Sequence, residues 1–163
     1  MFEVILPKKD PHIITYDRDQ LILLDIVKRQ LSYEKAPFTE VQRVSEQLGI
    51  SSKQEVAVFQ DWTSFINGIR PFRDDSIKEE GYVIEDHRGF MTKLKLPYYQ
   101  FWKQMRAIKQ RVAEKRSTQK YIQALQTAEQ ARFYTWLEQD AHAVRNSSII
   151  ELRSQFEQRC LPS

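Results

Sequence analysis

Cysteine is all but missing: Cys160, the fourth residue from the end, stands alone. Neither an internal disulfide nor a cysteine-built zinc site is encoded, and a reducing cytoplasm is the default expectation. No stretch approaches the ~18 to 20 apolar residues that cross a bilayer. The opening MFEVILPKKD places its charges after its short apolar run, which argues against a secretory leader. A membrane is therefore not an expected partner. Glycine is also scarce, with four residues at or before position 89, and neither glycine nor proline occurs between positions 98 and 161. No internal repeat or low-complexity tract is present. What the chain does have is 12% aromatic and 29% charged residues, a mixture that excludes wholesale disorder.

The net charge of +3 hides an asymmetry. Residues 1–97 hold 14 basic and 16 acidic residues, giving −2, and residues 98–163 hold 11 and 6, giving +5. Between positions 98 and 120, Lys103, Arg106, Lys109, Arg111, Lys115, Arg116 and Lys120 are opposed only by Glu114. A segment of this kind suits a phosphate backbone. Its Gln, Ala, Arg and Leu content favours helix. The first part instead carries β-branched and aromatic runs bounded by turn residues: FEVIL at 2–6, HIITY at 12–16 and LILLDIV at 21–27. These read as strands of a meander or hairpins. After Pro37, Thr39 with Gln42 reads as a capping box, Val41, Val44 and Leu48 share one face, and Gly49 stands where a helix stops. A second short helix is expected to end at Gly68.

GYVIED at 81–86 and GFMTKLKL at 89–96 flank Asp86, His87, Arg88 and Gly89, the pattern of a β-hairpin. Period-two alternation puts Met91, Lys93 and Lys95 on one side. With Glu80 at the start of the partner strand, the lysines and the carboxylate can share one pocket. Fixed positive charge serves a phosphate, and the carboxylate serves a divalent metal or a ribose hydroxyl. Taken singly, a Glu-Gly pair is most often a turn-to-strand junction, and a Lys-x-Lys the wet face of an edge strand. Order and combination raise them above that.

In that order the sequence resembles the ATP-dependent RNA ligases of the phage T4 RNA ligase kind, which are covalent nucleotidyltransferases. Phe2, Glu3 and Pro7, then Leu23, Leu24, Asp25 and Ile26, then Glu80, Gly81, Tyr82 and Val83, then Lys93 and Lys95 stand at that family's motif places. The resemblance implies an α+β fold, in which residues 1–97 supply antiparallel sheet from a nucleotidyltransferase catalytic domain and residues 98–163 an all-helical C-terminal domain. It implies ATP and Mg²⁺ as cofactors and RNA as partner. Glu3 would contact the ribose, Asp25 and Ile26 would line the adenosine pocket, Glu80 would hold the metal or sugar, and Lys93 and Lys95 would hold the α-phosphate. In the family, a lysine attacks ATP, AMP passes to an RNA 5′-phosphate, and a 3′-hydroxyl then displaces it. The nucleophilic lysine of the family lies in a Lys-x-Asp-Gly motif ahead of the Phe-Glu strand, and no such motif occurs in these 163 residues. The expectation is a truncated or split ligase, inactive alone, with an N-terminal half supplying the lysine in trans or in a longer chain.

The alternative is a non-catalytic RNA-binding or regulatory module derived from a ligase, with Lys103, Arg106, Lys109 and Arg111 as its RNA contacts. Against that, the same cations read as the solvated face of an amphipathic helix whose buried face is Tyr99, Trp102, Met105 and Val112. Phe133, Trp136 and Leu137 read as core. His12 and His142 read as structural or exposed, His87 as a turn residue with a lesser claim on phosphate, and Cys160 as inert.

Overall fold

Small sheets and short helices share the chain, as an α+β fold requires. The computed structural model describes residues 1–163 apart from Pro11, Asp75, Ala124, Gln126, Asp140 and residues 161–163, and apart from the side chains of Tyr121, residues 141–143 and Cys160. The expectations for the side chains of His142 and Cys160 lie outside the described residues. Two units are set apart by their internal packing, residues 1–67 and residues 68–163.

In the first unit, β1 (Phe2–Ile5) pairs antiparallel with β2 (Gln20–Leu23), from Phe2 opposite Leu23 to Ile5 opposite Gln20. A two-residue strand β3 (Ser51–Ser52) adds to β2 in parallel. One face of the pair buries Ile5, and Ile13 and Val41 are buried in the same unit. The other face buries Leu23, opposite Phe2, and presents Phe2, Val4 and Leu21 at 51%, 57% and 41% exposure. The expected strand at 12–16 is not one. Ile13 plugs the core at 3% exposure while the backbone bends around it, and β1 pairs with β2 instead. The expected strand at 21–27 also ends early, because the N–H groups of Leu24 and Asp25 turn to the Met1 carbonyl, at 3.0 and 3.4 Å. Val27 keeps only an isolated bridge to Lys35.

Helix α1 (Phe38–Leu48) starts directly after Pro37, so Thr39 lies inside it, and no side-chain cap forms. It buries Val41 and Ser45, and Leu48 is exposed, a shift of the buried face from the expected one. Gly49 does end it, in a left-handed conformation at φ 65° that turns the next N–H, of Ile50, back to the Ser45 carbonyl at 3.1 Å. Helix α2 (Trp62–Gly68) ends at the expected glycine and is capped by Asp61, whose Oδ1 accepts from the Ser64 N–H at 2.8 Å.

The second unit opens with a 3₁₀ turn (Arg70–Arg73) and the expected hairpin of β4 (Gly81–Glu85) and β5 (Met91–Lys95). Helices α3 (Pro97–Ala113), α4 (Gln119–Ile122), α5 (Ala128–Gln139), α6 (Ala141–Asn146) and α7 (Ile149–Cys160) follow. Pro97 opens α3 at a position where its missing N–H has no cost. Reciprocal capping boxes open α5 through Thr127 and Gln130, and α7 through Ser148 and Glu151. The bundle core consists of Trp102, Met105 and Ile108 from α3, Phe133 and Leu137 from α5, Val144 from α6, and Leu152 and Phe156 from α7. The Phe133 ring meets Trp102 and Phe156 edge to face, at 5.3 and 5.0 Å. Such pairs stabilise by about 0.5–1.5 kcal/mol beyond burial. Phe133 and Leu137 are core as expected, and Trp136 is half-buried beside them. Among the described residues, no helix is long and apolar enough to cross a membrane.

Candidate functional site

The hairpin is built around its turn. Asp86 Oδ1 accepts from the Arg88 N–H at 2.8 Å and from the Phe90 N–H at 2.9 Å, and the Asp86 N–H donates to the Phe90 carbonyl at 2.9 Å. The Phe90 N–H, then the Arg88 N–H and the nearby His87 and Arg88 charges, hold the Asp86 carboxyl below its ordinary value. His87 sits exposed at the tip, within the turn.

At the other end of the hairpin, Gly81 has φ 145°, and a Cβ there would lie 2.0 Å from the Leu94 carbonyl oxygen. Only glycine fits, and this close approach is what sets Glu80 beside β5. The Leu96 N–H donates to the Glu80 carbonyl at 3.1 Å, and the Glu80 carboxylate accepts a short hydrogen bond from Lys95 Nζ. The side chains of this pair are 35% and 34% exposed, so solvent and solutes reach it. Lys93 stands two residues along on the same face, opposite Val83, and is exposed. The structure therefore pairs Glu80 with Lys95 and sets Lys93 on the same face of β5.

Tyr99, expected in the helix core, is half-exposed instead. Its ring lies 5.0 Å from Lys95 Nζ and 5.9 Å from Lys103 Nζ. Helical spacing explains this: Trp102, Met105 and Ile108 define the buried face of α3, and position 99 falls outside it. Tyr99 was invisible to apolar periodicity because tyrosine suits either face.

The four cations expected to touch RNA are not equivalent. Lys103 and Arg106 are exposed, and neither pairs with a carboxylate among the described residues. Lys109 is half-buried, and its charge helps lower the Glu151 carboxyl, after the dominant hydrogen bonds from Ser148. Arg111 donates to the Ser117 carbonyl at 2.6 Å, where it closes the end of α3.

In the first unit, Asp25 is 4% exposed. Its Oδ2 accepts from Lys53 Nζ at 3.0 Å and lies 3.8 Å from Lys35 Nζ, and its Oδ1 accepts from the Ile26 N–H at 3.2 Å. The Met1 ammonium group donates to the Asp25 carbonyl at 2.6 Å. Lys35 and Lys53 are residues that sequence reasoning missed. Ile26 is half-buried, with its carbonyl accepting from the Ala36 N–H at 2.8 Å. Glu3 is half-buried on β1 opposite Ile22, without an ion-pair partner among the described residues. His12 packs edge to face against Tyr16 at 5.7 Å, and its buried Nε2 has no hydrogen-bond partner among the described residues.

Chemically, two ammonium groups and one reachable carboxylate suit a phosphorylated ligand carrying a divalent ion. No cluster of three or more potential metal ligands exists among the described residues. Glu80 as a single carboxylate fits Mg²⁺ that takes its remaining ligands from substrate phosphates and water. A family model described as RNA ligase matches residues 1–99. No curated protein and no solved structure matches the chain.

Proposed function

Since the chain belongs to the T4-type RNA ligase family, we propose that it carries the phosphate-handling motifs of an ATP-dependent RNA ligase. These act with a nucleophilic lysine supplied from outside residues 1–163. The observation that carries this reading is the Glu80–Lys95 pair with Lys93 beside it, inside the matched residues. Residues 1–97 belong to the nucleotidyltransferase catalytic domain and residues 98–163 form its helical appendage. The end of the family match at residue 99 supports that division.

In this reading Lys93 and Lys95 neutralise the α-phosphate as AMP passes to an RNA 5′-phosphate, a reaction in which positioning and charge do most of the catalysis. Lys95 leaves Glu80 for the phosphate, which releases the carboxylate. Glu80 is the residue to hold Mg²⁺, whose contribution is charge neutralisation at the phosphoryl oxygens. Glu3, without an ion-pair partner among the described residues, accepts from a ribose hydroxyl, and Ile26 lines the adenosine pocket. Asp25 belongs to the same wall, as the buried anchor of its two lysines. The exposed Phe2, Val4 and Leu21 face supports the packing of further polypeptide against the sheet, since apolar patches of this kind mark contact surfaces. The working compartment is the cytoplasm.

The test is incubation with α-labelled ATP and Mg²⁺, followed by a denaturing gel. The expected result is no covalent AMP on the chain alone. Addition of a polypeptide bearing the Lys-x-Asp-Gly segment should give label that moves to 5′-phosphorylated RNA. Labelling of the chain alone that is abolished by Lys93→Ala would overturn the external nucleophile. A second reading, an RNA-binding module without catalysis, is favoured by the acid-free basic helix α3. It requires RNA binding that survives Glu80→Gln in a chain that never supports transfer.

A further inference from the structure

Helix α3 carries Lys103, Arg106, Lys109 and Arg111 and no aspartate or glutamate. An ordinary wet helix face mixes its signs, because like charges three or four residues apart repel. Tyr99, Lys103, Arg106 and Gln110 follow the spacing i, i+4, i+7, i+11, which lays them in one strip opposite the buried Met105 and Ile108. The strip begins at the hairpin, because the Tyr99 ring lies against the ammonium groups of both Lys95, at 5.0 Å, and Lys103, at 5.9 Å. One aromatic ring thus ties the phosphate site to the first cation of the helix. The other two cations are placed differently: Lys109 is half-buried, and Arg111 donates to the Ser117 carbonyl.

We propose that Tyr99 joins the phosphate site to a single-strand RNA track on α3, in which Lys103 and Arg106 hold backbone phosphates and Lys109 and Arg111 take no part. The proposal rests on the ligase reading for its substrate and adds to it which cations touch the strand and what aligns them. From Tyr99 to Arg106 the helix rises about 10.5 Å, the span of about three stacked nucleotides at ~3.4 Å each. The strand occupying the track is the one whose 5′-phosphate lies at Lys93 and Lys95. Tyr99 is a positioning residue: its ring keeps Lys95 and Lys103 on one surface.

The experiment is fluorescence anisotropy of the 163-residue chain with a 3′-labelled single-stranded RNA, bearing either a 5′-phosphate or a 5′-hydroxyl, over a series of salt concentrations. Every cation that neutralises a phosphate of a single strand contributes about 0.7 to the salt slope. Lys103→Gln with Arg106→Gln should therefore flatten it by about 1.4, and Lys109→Gln with Arg111→Gln should leave it unchanged. Tyr99→Leu should flatten the slope and reduce the preference for the 5′-phosphate, and Tyr99→Phe should restore both. An unaltered slope in the Lys103/Arg106 variant would overturn the track, as would an equal flattening in the Lys109/Arg111 variant. Circular dichroism of each variant separates these results from unfolding. If the ligase reading fails but the track stands, the slope changes appear without any 5′-phosphate preference. If the track alone fails, that preference persists with an unchanged slope.

Discussion

Each unit of this protein contains a carboxylate gripped by lysine, and the two grips differ in kind. Asp25 has a side chain 6% exposed, and it holds Lys53 and Lys35 around it. Glu80 and Lys95 are each about a third exposed and pair at a strand end, with the Tyr99 ring 5.0 Å from the lysine. The first is closed: removing the buried carboxylate leaves its two lysines without that counter-charge. The second is open: water screens it, so it adds little to stability, and a ligand can replace either partner. Burial, more than residue type or distance, separates a structural ion pair from one available for chemistry.

The strongest way to break this contrast is Gly81→Ala. Its Cβ would meet the Leu94 carbonyl oxygen at 2.0 Å from a backbone at φ 145°. Overpacking costs roughly 1–3 kcal/mol and the backbone conformation adds about 1–2. The hairpin amides should lose hydrogen-exchange protection, and AMP transfer, assayed with the polypeptide bearing the Lys-x-Asp-Gly segment, should vanish, while the amides of β1 and β2 keep theirs. Next in size is Glu80→Gln, expected to lower AMP transfer to RNA by about 100-fold or more while shifting stability by less than ~1 kcal/mol in urea unfolding. Asp25→Ala should do the reverse for stability. It should cost about 2–3 kcal/mol, below the 3–5 of a fully dry pair because Lys53 is partly solvated. Exchange protection at Leu23 and Ile26 is the local readout.

The smallest effect concerns pH. The Asp86 carboxyl is held below its ordinary value by the Phe90 and Arg88 N–H groups, so its folded form favours the charged state. Its contribution to the hairpin is complete above the ordinary aspartate range and is lost as pH falls through the lowered value. Asp86→Asn should remove that acid-side dependence from hairpin exchange rates and leave β1 and β2 unaffected.

The open site was legible in the sequence and the closed one was not. Alternation at Met91, Lys93 and Lys95, with a turn at 86–89, defines a hairpin from local residues alone, and Glu80 follows from its register. Asp25 meets Lys53 only because β3 runs parallel to β2, where the Lys53 N–H donates to the Leu23 carbonyl at 3.0 Å, a pairing across a gap of 28 residues. Capping went the same way. The box expected at Thr39 fails because the cap position falls two residues earlier, at Pro37, while the boxes at Thr127 and Ser148 form unexpectedly. HIITY has strand composition, yet Ile13 is needed as a core plug, so packing overrides propensity there. The four α3 cations carry equal weight in the sequence, and the burial of Lys109 and the position of Ser117 divide them.

The central claim is that the open pair on the hairpin handles the phosphates of an RNA ligase substrate. The most direct measurement is the affinity of the chain for 5′-adenylylated RNA in Mg²⁺, compared with Lys95→Met and with Lys53→Met as the structural counterpart. Lys95→Met should weaken binding by about tenfold or more, one charge-assisted hydrogen bond being worth roughly 1.5–3 kcal/mol, with its folding stability unchanged. Lys53→Met should lower stability and leave the affinity of the folded protein intact. Equal affinity for wild type and a folded Lys95→Met variant would contradict the claim.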